Sequence, residues 1–166
     1  MRHSHAFLLA AIVLTASCAP AAAPDVSSSD LARERSAVDS VLTDLHQAAS
    51  EGAWDRYFAL YAPDAVFFGT DATERWNLAA FKGYATPTNG WTYVKTERNV
   101  FVDADGKAAW FDERLHNDSY GETRGTGVLV KGDSGWKVVQ YNLTIPVPNA
   151  LAPELVQRIA AADTMP

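Results

Sequence analysis

The segment Asp103-Ala104-Asp105-Gly106-Lys107 lies between two stretches of extended, β-rich sequence, and a turn there dictates how the two strands pair. Asp-Gly between such runs is a strong hairpin signal, because a two-residue loop requires positive φ at both central positions. With Asp105-Gly106 as that loop, Ala104 pairs with Lys107, Val102 with Ala109, Val100 with Phe111, Arg98 with Glu113 and Thr96 with Leu115. One face of the hairpin then carries valines, threonine, alanine, phenylalanine and leucine, interrupted by a single charged pair. Lys95, Glu97, Asn99, Asp112, Arg114 and His116 fall on the other face, which suits water. A slip of one residue would mix the two sets. A charge pair inside an apolar surface is costly, so Arg98 and Glu113 are either a structural bridge or part of a site.

The chain of 166 residues reads as one domain with extensions. Arg2 and two histidines precede an apolar run from Ala6 to Ala16, too short to span a bilayer at roughly 20 residues per helical span. Residues 1–17 read as a signal peptide. Its end, Leu14-Thr15-Ala16-Ser17-Cys18, resembles the lipobox of bacterial lipoproteins, in which the cysteine is lipidated; Thr15 departs from the usual leucine. The alternative is cleavage after Ala21-Ala22-Ala23 and release as a soluble secreted or periplasmic protein. Both readings export the chain, the first as a membrane-anchored protein of the cell envelope. Cys18 is the only cysteine, so the domain behind it has no disulfide and no thiol nucleophile. With 48% hydrophobic residues it has the material for a core. A net charge of −6 without Lys/Arg clusters argues against nucleic acid as a partner.

Residues 18–29, rich in Ala, Pro and Ser, read as a flexible tether. Asp30 is the expected N-cap of a first helix, whose apolar face carries Val38, Val41, Leu42, Leu45, Ala48 and Ala49 and which Gly52 closes. A second helix is expected over Trp54–Ala62, stopped by Pro63. A short strand over Ala65–Phe68 and a loop over Gly69–Trp76 lead to a third helix, capped by Asn77 and carrying Leu78, Phe81 and Tyr84. Four strands follow at about 91–103, 107–117, 122–131 and 136–146, then a weakly apolar helix or tail within 151–166. Helices first and a long meander afterwards predict an α+β domain over residues 30–150, three N-terminal helices packed on one face of a curved antiparallel sheet.

Several local phrases resemble the SnoaL-like domains of the nuclear-transport-factor-2-like superfamily. They are Gly52-Ala53-Trp54-Asp55-Arg56-Tyr57, Leu60-Tyr61-Ala62-Pro63-Asp64-Ala65-Val66-Phe67, the Asp103–Gly106 hairpin with Ala109-Trp110-Phe111-Asp112-Glu113, Arg124-Gly125-Thr126-Gly127-Val128, and Gly135-Trp136-Lys137-Val138. The resemblance implies a cone-shaped half-barrel with a hydrophobic pocket, and commonly a homodimer through the outer sheet face. It implies no particular activity, since this scaffold hosts isomerases, dehydratases, cyclases and binding modules.

Arg98 and Glu113 are the first candidates for a site. An arginine touching the carboxylate would keep it ionised and weaken it as a base, favouring substrate positioning over proton abstraction. Glu74, backed by Trp76 in the loop before the third helix, is a second candidate acid or base, against a solvated loop charge. Tyr120, Arg124 and Tyr141 form a third group. Tyr141 alternates with Val139 and Leu143 and so shares their apolar face, where its hydroxyl needs a partner. The glycines beside Arg124 mark either sheet curvature or the close approach of another group. Trp110 and Phe101 on the polar face of the hairpin mark a partner surface. Neither remaining histidine, His46 on a helix or His116 on the wet side of a strand, sits with other metal-ligand types, and no cofactor is implied. The expected function is binding of a small, mostly apolar molecule, with Arg98, Glu113, Glu74 and Tyr141 at its polar end and cofactor-free acid–base chemistry open to the carboxylates. The alternative is a non-catalytic envelope module with a filled cone.

Overall fold

A computed structural model describes residues 27–162. The signal segment, Cys18 and the tether as far as residue 26 lie outside the described residues.

Helix α1 spans Ser28–Ser50. Its N-cap is Ser27, three residues before the expected Asp30: the Ser27 hydroxyl accepts from the Asp30 amide at 3.1 Å and donates to the Asp30 carboxylate at 2.6 Å. The helix buries Val38, Leu42, Leu45, Ala48 and Ala49, the periodic stripe expected from the sequence. Gly52, at φ 65°, turns the chain where a side chain would press on the Asn89 carbonyl. Two short helices complete the N-terminal part: α2, Trp54–Ala59, and α3, Leu78–Ala85, capped by the Asn77 side chain on the Ala80 amide. One long helix with two short ones therefore replaces the three N-terminal helices expected. α2 ends before Pro63 rather than at it, because Tyr61 already belongs to a strand.

The sheet has six strands: β1 Tyr61–Phe68, β2 Arg75–Asn77, β3 Val94–Val102, β4 Ala108–Asn117, β5 Gly121–Gly132 and β6 Gly135–Thr144. Their order is β2-β1-β6-β5-β4-β3. The sheet is mixed rather than antiparallel throughout, because β1 runs parallel to β6. Pro63 falls in the part of β1 between Tyr61 and Val66 where that pairing is irregular, a position that needs no amide donor. β2 begins within the segment expected to be a loop and ends on the helix cap Asn77. Helix α4, Ala152–Ala162, follows the sheet and buries no residue.

The hairpin register is as expected from Val102↔Ala109 through Val100↔Phe111 to Arg98↔Glu113. The turn differs. Asp103 and Ala108 close a longer loop; the Gly106 amide donates to the Asp103 carbonyl, and the Asp103 carboxylate accepts from the amides of Lys107 and Ala108. Only Gly106 takes positive φ (67°), so Asp105 escapes the strain that a two-residue loop would impose. Register survives because the longer loop is symmetric about the same centre. Beyond Glu97 a bulge shifts Lys95 opposite Leu115, so the expected Thr96–Leu115 pair does not form.

Core residues from α1, α2, α3 and the inner sheet face form one cluster, rich in rings: Trp54, Tyr57, Phe58, Tyr61, Phe67 and Phe81 among them. α1 packs on β3, β6 and α2. Glu34 ties its N-terminal half to the β5–β6 hairpin, accepting from Lys131 Nζ at 2.6 Å and Trp136 Nε1 at 2.8 Å.

Candidate functional site

Glu113 comes from β4, and its side chain is sealed from solvent (0% exposed). Oε2 accepts from Arg98 Nε at 2.7 Å, across the β3–β4 pair. Oε1 accepts from the Tyr141 hydroxyl at 2.7 Å and lies 2.8 Å from His46 Nε2. Burial alone would push the Glu113 carboxyl up; hydrogen bonding and charge from His46, with Arg98 and Tyr141, outweigh it and hold the group below its ordinary value. An ionised carboxylate only accepts, which assigns the proton on Nε2 to His46. The other ring nitrogen, Nδ1, has no hydrogen bond to any described residue.

Arg98 is equally sealed, at 2% exposure. Nη1 donates to the Asp39 carboxylate at 2.8 Å, to the Asp39 carbonyl at 3.1 Å and to the Thr43 hydroxyl at 3.1 Å. The guanidinium thus clamps the middle of α1 to the β3–β4 hairpin. Its Nη2 is the one buried side-chain polar atom among the described residues with no hydrogen-bond partner. Asp39 is drawn down: its partial burial works the other way, but Arg98 and then Lys95 prevail.

Room for this cluster comes from Gly125 on β5, which pairs with Glu113 on one side and Leu143 on the other. A Cβ there would lie 2.3 Å from the Tyr141 hydroxyl oxygen and 2.7 Å from Glu113 Oε1. The β4–β5 ladder passes through both strand glycines without a shift, so close approach, not a bulge, explains Gly125. The bulge sits elsewhere. Between Leu129↔Val138 and Val128↔Gln140, β6 carries Val139 as an extra residue. Tyr141 and Leu143 therefore face inward together as expected, while Val139 does not share their alternation.

A cavity of about 260 Å³ opens beside this cluster. His46 and Tyr141 line it; Glu113 and Arg98 do not. The charged pair is thus one layer behind the wall, and the expectation that Arg98 contacts a ligand is corrected. Glu113 touches two residues of the cavity wall, His46 and Tyr141, without reaching the cavity itself. The floor and walls are aromatic. Phe67 stacks on Phe81 (3.9 Å between centroids), on Tyr141 (5.8 Å) and on Trp76 (6.1 Å), all within 18° of parallel. Tyr57 also lines the cavity and shares a 2.8 Å hydrogen bond with Tyr61. Burial pushes the phenols of Tyr57, Tyr61 and Tyr141 well above their ordinary values; at Tyr141 the adjacent Glu113 charge adds to it. All three stay protonated at neutral pH.

Glu74, Trp76 and Tyr120 line the same cavity. Glu74 is half-buried over Gly69 and accepts from the Asp71 amide at 3.2 Å; it does not touch the Glu113 cluster. Tyr120 is half exposed. Arg124 is exposed on β5, pairs with Arg114 and Thr144, and is not a cavity residue, so its expected ligand contact is corrected. On the outer sheet face Phe101 and Trp110 stack at 5.8 Å and remain 44% and 48% exposed.

In the sequence His46 stands out only as a histidine without metal-ligand neighbours. Its spacing held the better signal: it follows Leu42 by four residues and precedes Ala49 by three, so it shares the stripe that meets the sheet. No group of metal-ligand side chains occurs among the described residues.

A family model described as a SnoaL-like domain matches residues 38–148. The chain belongs to the SnoaL-like domain family. Its fold is similar to that of an NTF2-like protein of unknown function from Pseudomonas putida KT2440 (TM-score 0.60, 16% identity, 71% of this chain and 90% of that one). It is similar as well to a candidate aromatic ring hydroxylase from Novosphingobium aromaticivorans (0.59, 16%, 70% and 92%). A third similar fold is a candidate dehydratase of the NTF2-like family from Streptomyces avermitilis (0.60, 13%, 70% and 99%). At these identities the likeness concerns the fold. No curated protein matches the sequence.

Proposed function

We propose that this SnoaL-like domain binds a small, largely aromatic or apolar molecule in its cavity, and that His46 is the group that exchanges a proton with it. The observation that carries the reading is the layering: His46 lines the cavity while its partner Glu113 lies behind it, hydrogen-bonded to His46, Arg98 and Tyr141. This is the logic by which a carboxylate orients an imidazole and steadies the cation it becomes. The step open to the site is transfer of a ligand proton to Nδ1; the electron pair stays on the ligand and the imidazolium faces Glu113. Isomerisation and dehydration both begin that way. Tyr57 keeps its proton and is a donor for an oxygen of the ligand when Tyr61 donates to it, whereas the Tyr141 proton is already given to Glu113. A cavity of about 260 Å³ favours this over a filled-cone module, and lies near the small end of ligand sites, which start at roughly 300 Å³.

The test is titration with 2-naphthol, a planar weak acid, followed by tryptophan fluorescence. Saturable one-to-one binding is expected, weakened at least fivefold by His46→Gln at unchanged melting temperature. Absence of binding, or binding indifferent to His46→Gln, would overturn the reading. We further infer, from residues 14–18 alone, export with a lipid on Cys18, and, from the exposed Phe101–Trp110 stack, self-association through the outer sheet face.

A further inference from the structure

We propose that the cavity selects a positively charged amine, so that its ligand is a small aromatic or apolar molecule carrying an ammonium group. This rests on the reading of the cavity as a ligand site.

Among the aromatic residues that line the cavity are Trp76, Tyr84, Trp91, Tyr93 and Tyr120, together with Glu74. Tyr84 bridges the two tryptophans, 4.7 Å from Trp76 and 6.3 Å from Trp91 by ring centroid. Tyr84 and Tyr120 are each more than half exposed, which places this ring of side chains toward the open side. Burial, with the nearby hydroxyls of Tyr120 and Tyr84, pushes the Tyr93 phenol up to about 12. Tyr93 therefore keeps its proton at neutral pH. Aromatic rings grouped about an opening attract cations through their electron-rich faces, most strongly where water is excluded.

The charges of the lining point the same way. Glu74 is its only carboxylate, and neither lysine nor arginine lines it. No basic side chain among the described residues pairs with Glu74, which accepts from the Asp71 amide at 3.2 Å. Arg75, next in sequence, lies instead over the Phe68 ring. A half-buried carboxylate among rings, without a cation of its own, is what an ammonium ligand would complete. A carboxylate or phosphate at the rim would meet Glu74 with neither lysine nor arginine to compensate it, His46 being the sole basic side chain of the lining. The net charge of −6 draws cations toward the molecule and repels anions. With the ammonium group among the rim aromatics, the body of the ligand extends over Phe67 and Phe81 toward His46.

Three size-matched phenols test this by calorimetry on the purified protein: 4-hydroxyphenyltrimethylammonium, its uncharged isostere 4-tert-butylphenol, and 4-hydroxybenzoate. The cation is expected to bind at least tenfold more tightly than the isostere, and the anion most weakly. Glu74→Gln should lower the ratio of cation to isostere affinity at least threefold, with the melting temperature as the control for folding. If 4-tert-butylphenol saturates one site as tightly as the cation, or the ratio is unmoved by Glu74→Gln, the amine preference is wrong and the cavity reading stands. If none of the three binds, both fall.

Discussion

Replacing Glu113 by Gln exchanges one buried carboxylate oxygen for an amide nitrogen and removes the charge. Two orientations are open to the new side chain. With its nitrogen toward Arg98, two donors face each other and the guanidinium loses its inner partner. With its nitrogen toward Oε1's position, the amide donates where His46 and Tyr141 now donate. His46 must then move its proton from Nε2 to Nδ1, and the Tyr141 hydroxyl must turn. The second is cheaper, but it leaves Arg98 against a neutral oxygen. Removing one partner of a buried pair costs about 3–5 kcal/mol. Arg98 keeps Asp39 at 2.8 Å, which puts the expected loss at the low end, about 3 kcal/mol. For a domain of this size that lowers the melting temperature by roughly 10 °C. The assay is urea unfolding at pH 7 of wild type, Glu113→Gln, Arg98→Met and the double variant. The double variant strands no charge, so its loss should fall short of the sum of the singles by at least about 1 kcal/mol. A Glu113→Gln cost under about 1 kcal/mol, or strict additivity, would refute the reasoning. The same variants carry a pH signature. Because the Glu113 carboxyl is held below its ordinary value of 4.5, the folded state binds fewer protons than the unfolded state there. Its contribution is complete above pH 4.5 and is lost as the pH falls toward the lowered native value. Glu113→Gln should flatten that acid limb.

Gly125→Ala places a methyl group against the Tyr141 hydroxyl and Glu113; by the cost of overpacking it should destabilise the fold by about 1–3 kcal/mol in urea and weaken 2-naphthol binding. Tyr141→Phe removes one of the two hydrogen bonds at Glu113 Oε1 and should cost about 1.5 kcal/mol, with the acid limb shifted to higher pH because the carboxylate loses a donor. Light scattering of Phe101→Ser with Trp110→Ser should show a smaller particle than wild type; an unchanged mass contradicts self-association through that face. Metabolic labelling with palmitate should mark the wild-type chain in a bacterial host and not Cys18→Ser.

What the sequence made legible follows from how local each determinant is. The hairpin pairing depends on parity about one centre, so it held although the loop is longer than Asp105-Gly106 alone would make it. The Arg98–Glu113 pair came with that register. The α1 stripe and the Asn77 cap depend on short spacings and were equally readable. The parallel pairing of β1 with β6 joins residues some seventy positions apart, for which alternation carries no signal. The Val139 bulge has no local marker either, since Val138 and Val139 are adjacent valines and either could face inward. His46 was missed for a different reason. A histidine in a helical stripe reads as core or ligand alike, and only the approach of β4 and β6 across the sheet gives it Glu113 and a wall of the cavity.

The claim on which the site rests is that Glu113 is a charged acceptor holding the Nε2–H of His46, with Nδ1 left for a ligand. Nitrogen-15 correlation spectra of the His46 imidazole report this directly. At a pH where the ring is neutral, the account predicts a proton on Nε2 and an unprotonated Nδ1, with the tautomer reversed in Glu113→Gln. A wild-type ring carrying its proton on Nδ1, or one whose tautomer ignores the Glu113 substitution, would contradict it.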